Sequence, residues 1–398
     1  MSTEPARRDD APLRIAIIYD CLYPHTIGGC ERWYRAVAER LARRHRVTYL
    51  TRRQWDKGAQ PDAPAGVEVI AFDAGRRLYT ASGRRRILPP LRFGLAVLGH
   101  LLQNRRRYDV VHTCSFPYFP LIAAAIAKAA GGPPFVTDWV EVWPDDYWRG
   151  YLGGIGGAVG AGVQKLCIAL TGPSFTLSEL AAAVLRDQGY RGSPTVLKGI
   201  YDGPLLPPPA EVAREAIAVF AGRHIPEKQL MLIPEAVAIA RREVADLRAL
   251  IFGDGPERSR LLGEIARLGL EGVVQCPGFA PWERIDCALG SAMCLLLPSR
   301  REGYGLVVIE AAARGTPSIV VRGADNAATS LIENGINGFV VDAAQPAALA
   351  AAIVRAHAAG PPLVQSTYKW FRDHAGELSV DASVSRIESL YQSLMASR

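Results

Sequence analysis

The chain has 398 residues, 49% of them hydrophobic and 21% charged, which is long for one core and suits two domains. No run of about 18 uninterrupted apolar residues occurs, so a membrane-spanning helix is not expected; the nearest approach, residues 153–170, is glycine-rich and broken by Gln164 and Lys165. Net charge is +7 and uneven, with 21 Lys or Arg against 11 Asp or Glu in residues 1–114.

That basic first part suggests an anionic partner such as phosphate head groups or a lipid-phosphate acceptor, with nucleic acid a weaker reading. Arginine clusters lie at 40–46, 84–86 and 105–107, and a well-solvated surface explains them equally. Seven cysteines, an odd number without a C-x-x-C pair, point to free thiols in a reducing cytoplasm. The opening M-S-T-E-P-A-R-R-D-D lacks the apolar core of a signal peptide and reads as a lead-in. No metal-ligand cluster is visible.

Residues 15–19 read as a strand, followed by a long loop with His25, Gly28 and Gly29, then a helix on which Trp33, Val37 and Leu41 repeat every four residues. The G-x-G-x-x-G dinucleotide fingerprint is absent, but a glycine turn at a helix start still favours an anion. Strands follow at 47–50 and 67–70, a helix at 91–102, a strand at 108–112, a small-residue helix at 120–130 and a strand at 135–139. The last of these runs into the aromatic and acidic loop D-W-V-E-V-W-P-D-D-Y-W, where an open α/β sheet delivers ligand groups. A strand at 174–176, a helix at 178–187 and a strand at 195–197 close the first half.

The proline-rich stretch 204–209 reads as a linker, after which the alternation restarts. Strands are predicted at 217–221, 247–252, 273–276, 294–297, 318–321 and 339–341. Helices are predicted near 227–241, 256–268, 281–289, 326–334, 347–359 and 363–374. A final helix, 380–395, carries one apolar face that packs on something other than its neighbours in sequence. Two α/β halves imply a cleft between them, a favoured place for a ligand.

Four strand ends in the second half carry polar or glycine-rich turns. Arg223 follows one strand, and Lys228 is placed at a helix start, a forked donor and a point charge suited to a diphosphate. Gly253, Asp254 and Gly255 form a tight turn; Phe279 lies in P-G-F-A-P. Between strands at 294–297 and 318–321 runs E-G-Y-G-L-V-V-I-E, with Glu302 in the loop and Glu310 on the second turn of a helix. Each turn has an ordinary structural explanation, and Glu302 and Glu310 read alone are as well explained as helix-end and solvated charges. Together, two cations and two carboxylates point to a site.

The order G-G-x-E (28–31), G-R-x4-K (222–228), G-D-G-P (253–256) and E-G-Y-G-L-x-x-x-E-A-x-A-x-G-T-P (302–317) resembles the family 4 retaining glycosyltransferases of GT-B fold, across nearly the whole chain. The resemblance implies two Rossmann-like parallel-sheet domains facing across a cleft: 1–203 binding the acceptor, 204–375 binding a nucleotide-sugar donor, and a C-terminal helix, 376–398, crossing back to the first. It implies a retaining, metal-independent hexosyltransferase that uses UDP- or GDP-sugar as co-substrate and no cofactor. Its acceptor would be a glycan, a lipid-linked sugar or a small molecule, and no nucleic acid. A peripheral contact with an anionic membrane at its inner face is a further expectation, from the basic clusters.

Carried over by position, Arg223 and Lys228 match the pair that neutralises the leaving diphosphate, Glu302 the carboxylate facing the donor sugar, and Glu310 the one bonding the ribose. Gly28, Gly29, Gly253, Asp254, Phe279, Gly303, Tyr304, Gly305 and Leu306 fall in the substrate-binding turns. Where such enzymes commonly carry a sugar-contacting histidine, this chain has Val140. Asp138, Glu141, His25 or His112 is then left to take that role, with His112 also readable as a strand-end packing residue. The other reading is a catalytically weakened binding or regulatory protein on the same scaffold. A sugar-nucleotide 2-epimerase fits the E-G-Y-G-L-x-x-x-E-A block poorly, and a nicotinamide oxidoreductase lacks its fingerprint.

Overall fold

The computed structural model describes residues 11–74, 78, 86–209 and 214–397; Arg84 and Arg85 of the second arginine cluster lie outside them. The chain divides into two units, one running to Ile200 and resuming at Ser379, the other Tyr201–Leu378.

The first unit runs β1 (Arg14–Ile18), α1 (Gly29–Leu41), β2 (Arg46–Arg52), β3 (Glu68–Phe72), α2 (Leu88–Gln103), β4 (Val110–Cys114), α3 (Tyr118–Ala129), β5 (Phe135–Trp139), α4 (Asp145–Leu152), α5 (Gly154–Leu170), β6 (Ser174–Thr176), α6 (Glu179–Asp187) and β7 (Thr195–Val196). Its sheet has the order β3-β2-β1-β4-β5-β6-β7, with every neighbouring pair parallel. Helices cover both faces of such a sheet, so its central strands are apolar without interruption; β4 and β5 are buried at every position. The aromatic and acidic stretch after β5 is not loop throughout: Asp145 and Asp146 in its first turn complement the dipole of α4.

In the second unit the order is β8 (Glu215–Ala221), α7 (Leu232–Ala240), β9 (Arg248–Phe252), α8 (Arg258–Arg267), β10 (Val274–Gly278), α9 (Trp282–Ser291), β11 (Ala292–Leu297), β12 (Arg301–Glu302), α10 (Leu306–Ala312), β13 (Ser318–Val321), β14 (Asp325–Asn326), β15 (Gly338–Val341) and α11 (Pro346–Leu378). Six strands form the sheet β10-β9-β8-β11-β13-β15, and β12 pairs with β14 beside it. Two expected helices differ. The helix near 227–241 is split into a 3-10 turn, Pro226–Lys228, and α7, because Gln229 takes a left-handed conformation (φ 49°). The stretch 326–334 holds only a 3-10 turn, Ala327–Leu331, capped by the Asn326 side chain. α11 breaks at Gly360 (φ 51°) just before two prolines, and its buried Leu349, Ile353 and Leu363 belong to this unit's core.

The closing helix, α12 (Val380–Ala396), belongs to the first unit. Ser379 caps it, accepting a hydrogen bond from the Ala382 N–H at 3.2 Å, and Val380, Val384, Ile387 and Tyr391 form its buried stripe. Arg40 pairs with Asp381 at 2.9 Å, and Arg44 and His45 with Glu388 at 3.3 and 3.0 Å, so the first basic cluster is partly spent on holding α12. At the centre of this contact, Tyr391 Oη lies 2.5 Å from His112 Nδ1, both fully buried. Removing that hydroxyl leaves a buried imidazole nitrogen without its partner. Tyr391→Phe is therefore expected to lower stability by about 1–3 kcal/mol, read from the urea midpoint of the full chain.

Candidate active site

In the second sheet, successive strands β8, β9 and β10 progress one way and β11, β13 and β15 the other. The order reverses between β8 and β11, and a parallel sheet leaves a crevice beyond the carboxyl ends at such a point. The expected donor residues stand at these two ends. After β8 come Gly222, Arg223 and His224, then the turn bearing Lys228; after β11 come Ser299 and the short β12 with Glu302. Lys228 Nζ is ion-paired with Glu302 Oε1, which also accepts a hydrogen bond from Ser299 Oγ at 2.8 Å. The Arg300 N–H donates to the Glu227 carbonyl at 2.9 Å, tying the two loops along their backbones as well. Lys228 thus stands in the 3-10 turn and not at a helix start.

The turn after β9 packs directly on the first of these loops. Gly253 has φ +123°, and a Cβ there would stand 1.9 Å from the Gly222 carbonyl oxygen; one on Gly255 (φ +151°) would stand 2.5 Å from the His224 oxygen. Only glycine fits either place. The His224 N–H donates to the Asp254 carbonyl at 2.8 Å and the Glu257 N–H to the His224 carbonyl at 2.9 Å. Asp254 itself is exposed, its Oδ1 accepting from the Gly255 N–H at 2.7 Å, and Arg223 is exposed beside it. At the end of β10, Phe279 presents a largely exposed ring.

Glu302, Gly303, Tyr304, Gly305 and Leu306 form the entry to α10. Gly305 caps it in the left-handed region (φ +101°), with the Ala328 Cβ only 2.7 Å from where a side chain would begin. Tyr304 is buried, which pushes its phenol pKa up, with Glu377 adding to the effect. Glu310 is buried on the same helix. Asn326 secures the loop from behind, donating to the Ser299 and Val321 carbonyls at 2.9 and 2.8 Å. Ser299 and Asn326 carry no motif that would have singled them out, since their role follows from loops that meet only in the fold.

In the first unit the candidates are placed differently. Gly28 caps α1 in extended conformation, and a Cβ there would collide with the Glu31 carboxylate at 2.4 Å; Gly29 is exposed. His25 is exposed, packs on Trp55 at 4.8 Å and accepts from the Asp62 N–H at 3.2 Å. Glu141 is exposed and accepts from Trp143 Nε1 at 2.8 Å. Asp138 corrects the expectation of a direct sugar contact. It is 2% exposed, its Oδ2 accepts from Tyr34 Oη at 2.7 Å and Trp33 Nε1 at 3.3 Å, and its Oδ1 lies 2.7 Å from His112 Nε2. It is an internal tie between α1, β4 and β5. His112 is likewise a packing residue.

No group of three or more His, Cys, Asp or Glu side chains placed to hold a metal occurs among the described residues. Two consequences can be measured. Gly305→Ala forces a left-handed conformation on an L side chain in a crowded place and is expected to cost at least about 1–2 kcal/mol, read as a lowered Tm. Burial holds the His224 imidazole below its ordinary pKa, with Arg258 adding and Asp254 opposing. Its folded value is depressed, so the unfolded chain binds the proton first and stability falls as pH drops below about 6.5. His224→Gln should flatten the dependence of the denaturation midpoint on pH across that window.

The model of the Glycosyl transferase 4-like domain matches residues 28–198, and that of the Glycosyl transferases group 1 matches residues 207–362. Among curated relatives, the D-inositol 3-phosphate glycosyltransferase of Streptomyces griseus is 32% identical over 189 residues, 45% of this chain and 39% of the relative. The alpha-D-kanosaminyltransferase of Streptomyces kanamyceticus is 33% identical over 139 residues, 35% of this chain and 36% of the relative. The matches thus span well under half the length of these relatives. Among solved structures, sucrose-phosphate synthase from Thermosynechococcus elongatus superposes with a TM-score of 0.77 at 20% identity, over 97% of this chain and 100% of that one. Anabaena HepE in complex with UDP and glucose gives 0.70 at 17%, over 96% and 100%. With both family models in chain order and the fold shared from end to end, the chain belongs to the family 4-type, group 1 glycosyltransferases and has the GT-B fold.

Proposed function

We propose that this protein is a retaining glycosyltransferase that moves a hexose from a UDP- or GDP-sugar to a carbohydrate, lipid-linked or small-molecule acceptor, without a divalent metal. The observation that carries the reading is the meeting of Lys228 and Glu302 at the reversal point of the second sheet, with Arg223 on the same loop as Lys228. Bond cleavage at the sugar's anomeric carbon leaves negative charge on the diphosphate and positive character on the sugar. Two cations beside a carboxylate offer a partner to each of these charges, and fixed charges aimed at developing charge are usually the largest catalytic term.

In this reading Arg223 and Lys228 hold the departing diphosphate, Glu302 faces the sugar, and Glu310 bonds the ribose. Phe279 offers an apolar ring beside the β9 and β10 turns. The relatives named above are described as glycosyltransferases, and HepE was solved with UDP and glucose, which supports a nucleotide-sugar donor. The N–H groups near Gly28 and Gly29 are assigned to the departing diphosphate, and His25 or Glu141 to the sugar contact that Val140 cannot make. The seven free thiols suit a reducing, cytoplasmic setting.

Thermal-shift screening against UDP-, GDP-, ADP- and dTDP-sugars should pick out the donor, since a ligand at a hundred times its Kd stabilises by about 2.7 kcal/mol. With that donor and an accepted sugar or lipid acceptor, Lys228→Ala and Arg223→Ala are each expected to lower kcat roughly a hundredfold or more, and Lys228→Ala also to lower Tm, because it leaves the Glu302 carboxylate without its ion-pair partner. Glu310→Ala should chiefly raise the donor KM. Release of nucleoside diphosphate from no donor at all, despite tight nucleotide binding, would overturn the proposal.

A further inference from the structure

Between the end of β5 and the end of α4 the chain gathers a set of aromatic rings. Trp148 is the buried one, and α5 makes room for it: a Cβ on Gly160 would stand 2.4 Å from its ring. The fully buried Gln164 of α5 holds the backbone of Trp143 from both sides. The Trp143 N–H donates to Gln164 Oε1 at 3.0 Å, and Gln164 Nε2 donates to the Trp143 carbonyl at 2.8 Å. Trp143 is thereby fixed among Trp148, Tyr147 and Tyr151, with ring centroids 4.6, 4.6 and 5.3 Å away. Tyr147 and Tyr151, one helical turn apart, have nearly parallel planes (8°) with centroids 6.3 Å apart, and Trp143 stands across both at 66° and 68°. Two near-parallel rings with a third across them make three walls of a box. A cluster that served only to seal α4 onto α5 would enclose these rings as it encloses Trp148, yet all three keep partial contact with solvent.

Charge says what the box suits. Residues 138–147 carry four acids and no Lys or Arg, inside a first part of the chain that is otherwise basic. Asp138 is enclosed, Asp145 is paired with Lys165 at 2.9 Å, and Asp146 with Arg149 at 3.2 Å. Glu141 is exposed at the edge of the box and accepts from Trp143 Nε1 at 2.8 Å. An indole N–H carries no net charge, and no basic side chain among the described residues pairs with Glu141, so its negative charge stays unmet. Ring faces are negative and attract a cation within about 6 Å of the centroid. An anion would be repelled by rings and carboxylate alike, and a neutral sugar would use the rings but not the charge. We propose that Trp143, Tyr147, Tyr151 and Glu141 form a binding site for an ammonium group, and that the acceptor is an amino sugar held through its protonated amine. Glu141 in this role leaves His25 for the sugar contact assigned above to one or the other. The acceptor role rests on the glycosyl transfer proposed above; the ammonium site does not.

The test is titration of the purified full chain, without donor, by tryptophan fluorescence at pH 6 and matched ionic strength. The probes are glucosamine, whose amine is then protonated, and its neutral counterparts glucose and N-acetylglucosamine. Glucosamine is expected to bind about tenfold more tightly than either neutral sugar. The double variant Y147L/Y151L, altered at half-exposed positions and checked for unchanged Tm, should bring glucosamine down to the level of glucose. Glu141→Gln should weaken glucosamine severalfold and leave glucose unchanged. Equal binding of the three sugars, an equal loss of glucose and glucosamine in Y147L/Y151L, or indifference to Glu141→Gln overturns the proposal. Once a donor is known, Y147L/Y151L should raise the KM for an amino-sugar acceptor and leave the donor KM unchanged. Tight glucosamine binding with no transfer from any donor would uphold the ammonium site and overturn the transfer reading instead.

Discussion

Lys228 and Glu302 stand 74 residues apart in the chain and meet because of how a parallel sheet is wound. Every strand ends at the same edge, and where strand order reverses, two neighbouring strands send their following loops in opposite directions. In the second unit that reversal lies between β8 and β11, whose loops carry these two residues. The neighbouring loops of the second unit are fitted to the meeting. Gly253 and Gly255 let the β9 turn lie on the β8 loop, Gly305 turns the chain into α10, and Ser299 and Asn326 fix the carboxylate's loop. A cation and an anion held together at a sheet edge keep each other oriented.

The first unit depends on a different constraint. A carboxylate at 2% exposure is tolerable only if its oxygens are satisfied, and Asp138 has Tyr34, Trp33 and His112 around it. Through His112 the same network reaches Tyr391, so α1, two central strands and the last helix of the chain share one polar knot. That explains why a segment beyond the second unit folds into the first. It also holds the end of β5, from which the chain continues to Val140 and Glu141.

Surface composition separates the helices of the first unit into two kinds. α1 and α12 carry acids and bases that pair with each other, as solvated helices do, whereas α2, α3 and α5 carry bases and exposed aliphatic side chains with no acids. The overall charge of +7 therefore conceals a local imbalance on one layer of helices.

Strand and helix alternation, the two-unit division and the glycine turns were legible in the sequence, because period-two and period-3.6 patterns and positive-φ glycines are local properties. The four turns at strand ends of the second unit were legible too, since each is a strand followed by a glycine-rich or polar stretch. Gln229 in a left-handed conformation, which parts Lys228 from α7, could not be read, because nothing in its residue type demands it. Nor could the burial of Asp138: a carboxylate at a strand end looks the same in sequence whether it faces a ligand or three hydrogen-bond donors from elsewhere. Residues 153–170 showed an apolar, glycine-rich helix, but which side it buries depends on α3 and α4 packing against it. Local pattern determined the elements and the residue types at their ends; tertiary packing alone decided which of those residues meet, which are enclosed and which face outward, because these depend on neighbours distant in the chain.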